Sequence, residues 1–268
     1  MDVTGTIDTE SPVSTSREVK KIYDGLFGPG LFEPVDSVAR DVSSLFNGTY
    51  PGYQSCDTAY HDVEHTLQTY LAAARIFDGM IRERKSAMSR QLVTLGLIAI
   101  LGHDTGFIKA AGDDDGHGGK YTLVHVERSK EFMDRLLSEH GFNARQVTSV
   151  NNLISCTGLN VSLSAIPFAS AKERLAGCVV GTADYLGQMS DPHYLEKLPR
   201  LYEEYKEGNV PGFESADDLI KKSPRFFEEF VLGRLTRDFE GVYRFAAKHF
   251  GGRDLYTEAI KKNLALIK

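Results

Sequence analysis

The sequence predicts an all-α fold, a helical bundle in one domain, and three observations carry that expectation. Few segments alternate apolar and polar residues with period two, whereas many repeat apolar residues at helical spacing. Neither an internal repeat nor a proline-rich linker divides the 268 residues. Hydrophobic content of 41% with 25% charged residues suits a chain that buries a substantial core.

Residues 1–16, rich in Thr, Ser, Asp and Glu and lacking an apolar run, predict a disordered lead-in and no signal peptide. A single domain is then expected over 17–268. A short charged helix is predicted over 17–26 with Ser16 as its cap, a Gly/Pro break over 27–34, and a second helix over 35–46. Residues 47–57, punctuated by Pro51-Gly52, read as loop. Residues 61–77 place His61, His65, Leu67, Leu71 and Ala74 at helical intervals. The apolar run from Ser86 to His103 suits a buried strand by hydrophobicity, but its length argues for a buried helix. Gly112-Asp-Asp-Asp-Gly-His-Gly-Gly119 is a loop by composition, and a helix over 123–140 ends at Gly141. Further helices are expected over 146–156, 171–189, 192–206, 215–230 and 232–249. The helices of 192–268 should pack on a core that carries the site within 60–190. The aromatic cluster Phe226, Phe227, Phe230, Phe239, Tyr243 and Phe245 reads as core.

A net charge of −6 gives no reason to expect duplex nucleic acid as a partner. A small anionic substrate stays compatible, because a bound metal reverses the local field. Cys56, Cys156 and Cys178 are widely spaced and odd in number, which fits reduced thiols in the cytoplasm better than a disulfide framework. The longest apolar stretch, 92–101, is too short to cross a membrane.

The chemistry concentrates in Tyr60-His61 and His65, the pair His103-Asp104, and Asp184. Singly each has a bland reading: a surface or core histidine pair, an uninformative dipeptide, a helix cap. Together, mixed imidazole and carboxylate side chains can converge on zinc, iron, manganese or magnesium. Adjacent His103 and Asp104 can both reach one ion only near a helix end, and Gly106 marks such an end. Asp184 follows the apolar run Cys178-Val-Val-Gly-Thr-Ala183, where a carboxylate needs a cation or hydrogen bonds to offset desolvation.

This order of motifs resembles the HD-domain metal-dependent phosphohydrolase superfamily. Tyr60-His61-Asp62-Val63-Glu64-His65-Thr66 further resembles the Y-H-N-x-x-H-A segment of class I cyclic-nucleotide phosphodiesterases, and the similarity spans 60–205. The resemblance implies an HD/phosphodiesterase-like bundle with His65, His103, Asp104 and Asp184 as metal ligands. It implies His61 as the acid that protonates the leaving oxygen. His125 and Glu127 fall in a segment that lies near a second metal in bacterial members, where Asp104 would bridge. Phe107 departs from the pattern: phosphodiesterases carry a further histidine there and HD-GYP proteins a lysine.

Such a centre, with one divalent metal and His125 and Glu127 marking the place of a second, would activate water toward a phosphate ester. Glu64 or Glu127 would orient His61. Lys109 and Lys120, flanking the acidic loop, and Gln188, one turn after Asp184, are candidate substrate contacts. The loop containing Asp113–Asp115 would serve as a lid. The expectation is therefore a phosphohydrolase acting on a small phosphorylated substrate such as a nucleotide, with phosphodiesters favoured over phosphomonoesters. The competing readings are a di-iron oxygenase on the same fold, which wants further histidines at the second iron, and a non-catalytic binding domain.

Overall fold

Eleven α-helices and several short 3-10 or π turns form all regular structure among the described residues, 1–84, 88–159 and 161–267 of this computed structural model. No strand occurs among them; Tyr53 and Ala110 make one isolated antiparallel bridge. The all-α expectation holds.

Helix α3 (Val63–Glu83) is the central element, and every residue from Glu64 to Met80 is buried. Asp62 caps it: the side chain accepts a hydrogen bond from the His65 backbone N–H at 2.9 Å, satisfying a donor that the first turn leaves open. Helix α7 (Ala171–Met189) crosses α3 so closely that a Cβ on Gly187 would come within 2.7 Å of the Thr69 side chain. Helix α4 (Arg90–Gly102) is apolar and buried throughout its second half, with Gly96 under the Phe77 ring and Gly102 against Met133. Glycines set the close spacing at these contacts, and close-packed interiors leave no room for an added methyl. Helix α3, the two residues that follow α4, and helix α7 carry the metal-ligand candidates.

Helices α1 (Pro12–Phe27) and α2 (Glu33–Phe46) pack beside this core, and α5 (His125–Glu139) and α6 (Ala144–Ile154) close another side. Helix α8 (Tyr194–Glu207) lies against the 110–121 loop and against α9 (Ala216–Phe226). Helices α10 (Phe245–His249) and α11 (Leu255–Ala265) finish the chain, with α10 seated on α3.

Several expectations are corrected. The lead-in is docked: α1 begins at Pro12 with Ser11 as its cap, and Asp2 and Thr9 are buried. Asp2 pairs with Arg75 of α3, whose Nη1 donates to the Tyr256 hydroxyl at 3.1 Å. A few specific polar contacts thus order a segment whose composition reads as disordered. Arg90 opens α4; Ser86, where that helix was expected to begin, and Lys268, the expected end of the domain, lie outside the described residues. The long helix expected over 232–249 is broken by Glu240 and Gly241, both left-handed at φ 55° and 68°. Around it the backbone widens into π turns at Phe227–Val231 and Arg234–Asp238. Phe239 is core as expected, whereas Phe226 is exposed and stacks on Phe230. No helix of the described residues is long and apolar enough to cross a membrane.

Candidate metal centre

His65 enters from the first turn of α3, where the Asp62 cap fixes the backbone. His103 caps the C-terminal end of α4, and Asp104 turns away into the short turn Thr105–Phe107. That change of direction lets two adjacent side chains reach one point, as the glycine after them suggested. The His103 Nδ1 lies 2.7 Å from the Ile100 carbonyl, which can only accept, so Nδ1 carries a proton and Nε2 is the nitrogen left to face the site.

The donor atoms meet in the core. His65 Nε2 is 3.3 Å from Asp104 Oδ2 and 3.4 Å from Asp184 Oδ1. His103 Nε2 is 3.1 Å and 3.6 Å from the same two oxygens. His65 Nε2, His103 Nε2 and Asp104 Oδ2 are buried and complete no hydrogen bond, although they stand this close. Ligands about 2.1 Å from a shared ion are separated by roughly 3.0 to 3.4 Å along the edges of an octahedron or tetrahedron. The spacing and the unpaired atoms therefore fit a cation better than direct hydrogen bonding. His65, His103 and Asp104 can together hold a metal ion, with one ligand atom from each lying within 4.8 Å of the others.

The electrostatics agree in sign. Burial pulls the imidazolium of His65 down, but Asp104 and Asp184 outweigh it and push the group up to about 9. His103 is raised well above its ordinary value by the same two carboxylates against the same burial. Burial raises Asp104 and Asp184, yet the imidazoles hold both well below the usual carboxylate range. The pocket selects for positive charge beside two carboxylates, which a proton or a metal can supply.

His61 does not lie on α3, which starts at Val63; it sits in the turn before the helix. Its Nδ1 is 2.5 Å from Glu204 Oε2 of α8. Glu204 Oε1 accepts the backbone N–H of Tyr60 at 2.6 Å and of His61 at 3.3 Å, so one buried carboxylate fixes both the ring and the turn. Burial raises the Glu204 carboxyl, and the His61 charge and hydrogen bond bring it below its ordinary value. Phe107 lies nearly parallel to His61 at 4.4 Å between ring centroids, and to His125 at 4.5 Å. Phe107, itself buried, thus packs as an apolar plate against both imidazoles.

His125 belongs to the site: its Nδ1 is tied to the Thr122 carbonyl at 2.7 Å and its Nε2 is 3.7 Å from Asp104 Oδ1. Burial lowers its pKa more than Asp104 raises it. Glu127 does not belong there. Its side chain is 69% exposed and paired with Lys130 at 2.6 Å, because it leaves α5 on the solvent side. Glu64 does not orient His61 either; Lys197 holds it at 2.6 Å and bridges it to Asp191.

The two lysines expected at a phosphate are internal braces. Lys109 is buried, paired with Asp57 at 2.9 Å and donating to the Gly116 carbonyl at 2.7 Å. Lys120 binds Asp113 at 2.6 Å and the Asp115 carbonyl at 2.6 Å. Hydrogen bonds from Lys120 and Tyr121 bring the Asp113 carboxyl down to about 2. The loop is also pinned from outside, Gly118 N–H donating to Asp57 and His117 N–H to Glu207. A Cβ on Gly118 would meet the Phe107 carbonyl at 2.3 Å, so the glycine run serves close packing. Gln188 stays near the site, bordering a crevice shared with Tyr60, His65, Gln68, Asp191, Tyr194 and Lys197.

A family model described as Npun_R2479-like matches residues 118–240. That span contains His125, Asp184 and Glu204 and leaves out His61, His65, His103 and Asp104. No curated protein matches the chain.

Proposed function

We propose that this chain is a metal-dependent phosphohydrolase that cleaves a phosphate ester, with His61 as general acid. One observation carries the reading. Three buried, unpaired ligand atoms of His65, His103 and Asp104 converge beside a histidine–carboxylate dyad. Asp184 would complete the ligand set from α7, since its Oδ1 lies 3.4 and 3.6 Å from the two imidazole nitrogens. A divalent manganese, magnesium, zinc or iron ion held there would activate water and polarise a phosphoryl oxygen.

His61 then supplies the proton for the departing oxygen. With Nδ1 committed to Glu204, Nε2 is the end free to donate. The Glu204 carboxylate stabilises the protonated ring and keeps its orientation, while Phe107 covers one ring face. The preference for a phosphodiester over a phosphomonoester follows the resemblance of the segment 60–65. A small phosphorylated compound such as a nucleotide is the proposed substrate, and the unpaired cysteines favour the cytoplasm.

His125 supports a runner-up, because its Nε2 and Asp104 Oδ1 face each other as two ligands of a second ion would. A di-iron oxygenase needs about two further histidines at that position. His125 supplies one, and Phe107 stands where the other would be sought. Hydrolysis of diester and monoester model substrates with each of the four metals tests the main reading. Wild type should hydrolyse and the His103→Ala and Asp104→Ala variants should not. Hydrolysis retained by either variant overturns it, and oxygen consumption by iron-loaded protein would promote the alternative.

A further inference from the structure

The turn that bears His103 and Asp104 is tied down by one side chain from another helix. Ser129, in the second turn of α5, is fully buried. Its Oγ donates to the His103 carbonyl at 2.6 Å and accepts the Gly106 backbone N–H at 2.8 Å. A hydroxyl has one proton to donate, so this group is committed to the backbone on either side of Asp104 and Thr105. The carbonyl it satisfies stands at the C-terminal end of α4, where helical carbonyls lose their partners. Helix α5 can come this close because residue 106 is glycine. An added Cβ there would lie 2.0 Å from the His125 carbonyl oxygen and 2.8 Å from the Ser129 nitrogen.

Arg128 holds the other end of the same turn. Its Nε donates to the Gly106 carbonyl at 2.7 Å and its Nη2 to the Ile108 carbonyl at 3.1 Å, on the two sides of Phe107. The guanidinium carbon lies 3.5 Å from the Tyr121 ring centroid, which braces it in turn. Loss of the Ser129 hydroxyl would therefore loosen the end that carries the ligands and leave the Phe107 end tied.

The ligand geometry depends on this turn. On a regular helix adjacent side chains point roughly 100° apart. Asp104 leaves the helix at φ −109° and ψ 6°, and its Oδ2 comes within 3.1 Å of His103 Nε2 and 3.3 Å of His65 Nε2. We propose that Ser129 is a positioning residue for the metal centre. Through the backbone, its hydroxyl sets how the His103 and Asp104 donors stand to each other, and so the affinity and geometry of the bound ion. The role rests on the reading of His65, His103 and Asp104 as metal ligands.

Titration of the metal-stripped full chain with cobalt(II) tests this without turnover, because the visible absorption of the bound ion reports its ligand geometry. Wild type should bind the ion. Ser129→Ala should weaken binding about 10- to 100-fold, the range over which partners behind the ligands act, and should change the spectrum. Leu136→Ala removes a buried side chain elsewhere on α5. It should lower the melting temperature at least as much, yet leave affinity within about twofold of wild type and the spectrum unchanged. Circular dichroism melts check that the variants fold. Wild-type affinity and spectrum in folded Ser129→Ala overturn the proposal, as does an equal loss of affinity in Leu136→Ala. If Ser129→Ala does not fold, Ser129→Cys, whose thiol is only a weak donor and acceptor, is read by the same criterion. Wild type that binds no cobalt overturns the metal centre and the role of Ser129 together. Wild type that binds cobalt but hydrolyses no phosphoester contradicts the phosphohydrolase reading alone.

Discussion

The metal cluster and the His61–Glu204 dyad are neighbours with opposite bonding states. His65 Nε2, His103 Nε2 and Asp104 Oδ2 are buried and make no hydrogen bond, and the first turn of α3 and the two residues that follow α4 carry them. The dyad is fully paired within the protein: Glu204 engages the His61 ring and two backbone N–H groups at once. A donor set that only a cation satisfies should be held open by the rigid core around it. A dyad satisfied by its own partners should keep its geometry whether or not an ion is bound. Binding and proton delivery are thus separable, and each can be removed without the other.

The largest effect expected is from Asp104→Ala, which removes an oxygen facing both imidazoles and should abolish phosphoester hydrolysis in a direct assay. Glu204→Gln should cut kcat by roughly 10- to 100-fold while metal content stays at the wild-type level. A loss of metal in Glu204→Gln would merge the two regions and break the comparison.

The clasp at the start of the chain sharpens it from outside. Asp2 is buried and raised by desolvation, but Arg75 and the surrounding hydrogen bonds hold its carboxyl below the ordinary value. A lowered folded-state pKa contributes stability above the unfolded value and loses it as pH falls through the folded one. Asp2→Asn should therefore destabilise by about 3 kcal/mol near neutral pH, with the gap to wild type closing in acid, as thermal melts at several pH values would read. Metal content should be unaffected, because Arg75 lies well along α3 from His65. The smallest effect is expected from Lys120→Ala, whose KM should stay within about twofold of wild type, since the ammonium braces an exposed loop. A large rise in KM would return Lys120 to the substrate.

The parts that the sequence made legible are the local ones. His103 and Asp104 are adjacent, and the glycine beyond them marked the helix end that lets both side chains converge. Apolar spacing predicted the core helices because burial on one face leaves a period in the sequence. Glu204 left no such trace: it meets His61 across 143 positions, and spacing cannot report a contact between a turn and a distant helix. Glu127 and Lys109 misled for a related reason. A charged residue near a motif carries no sign of whether its side chain faces solvent, a brace or a ligand. Asp2 and Arg75 show the converse, where one buried pair orders a segment whose composition argues against order.

Elemental analysis of the purified chain, set beside the His65→Ala, His103→Ala and Asp104→Ala variants after saturation with manganese, zinc or iron, tests the central claim most directly. The account predicts bound metal in wild type and its loss in all three folded variants. Wild type that takes up none of these metals, or a triple set that retains it in full, would contradict the account.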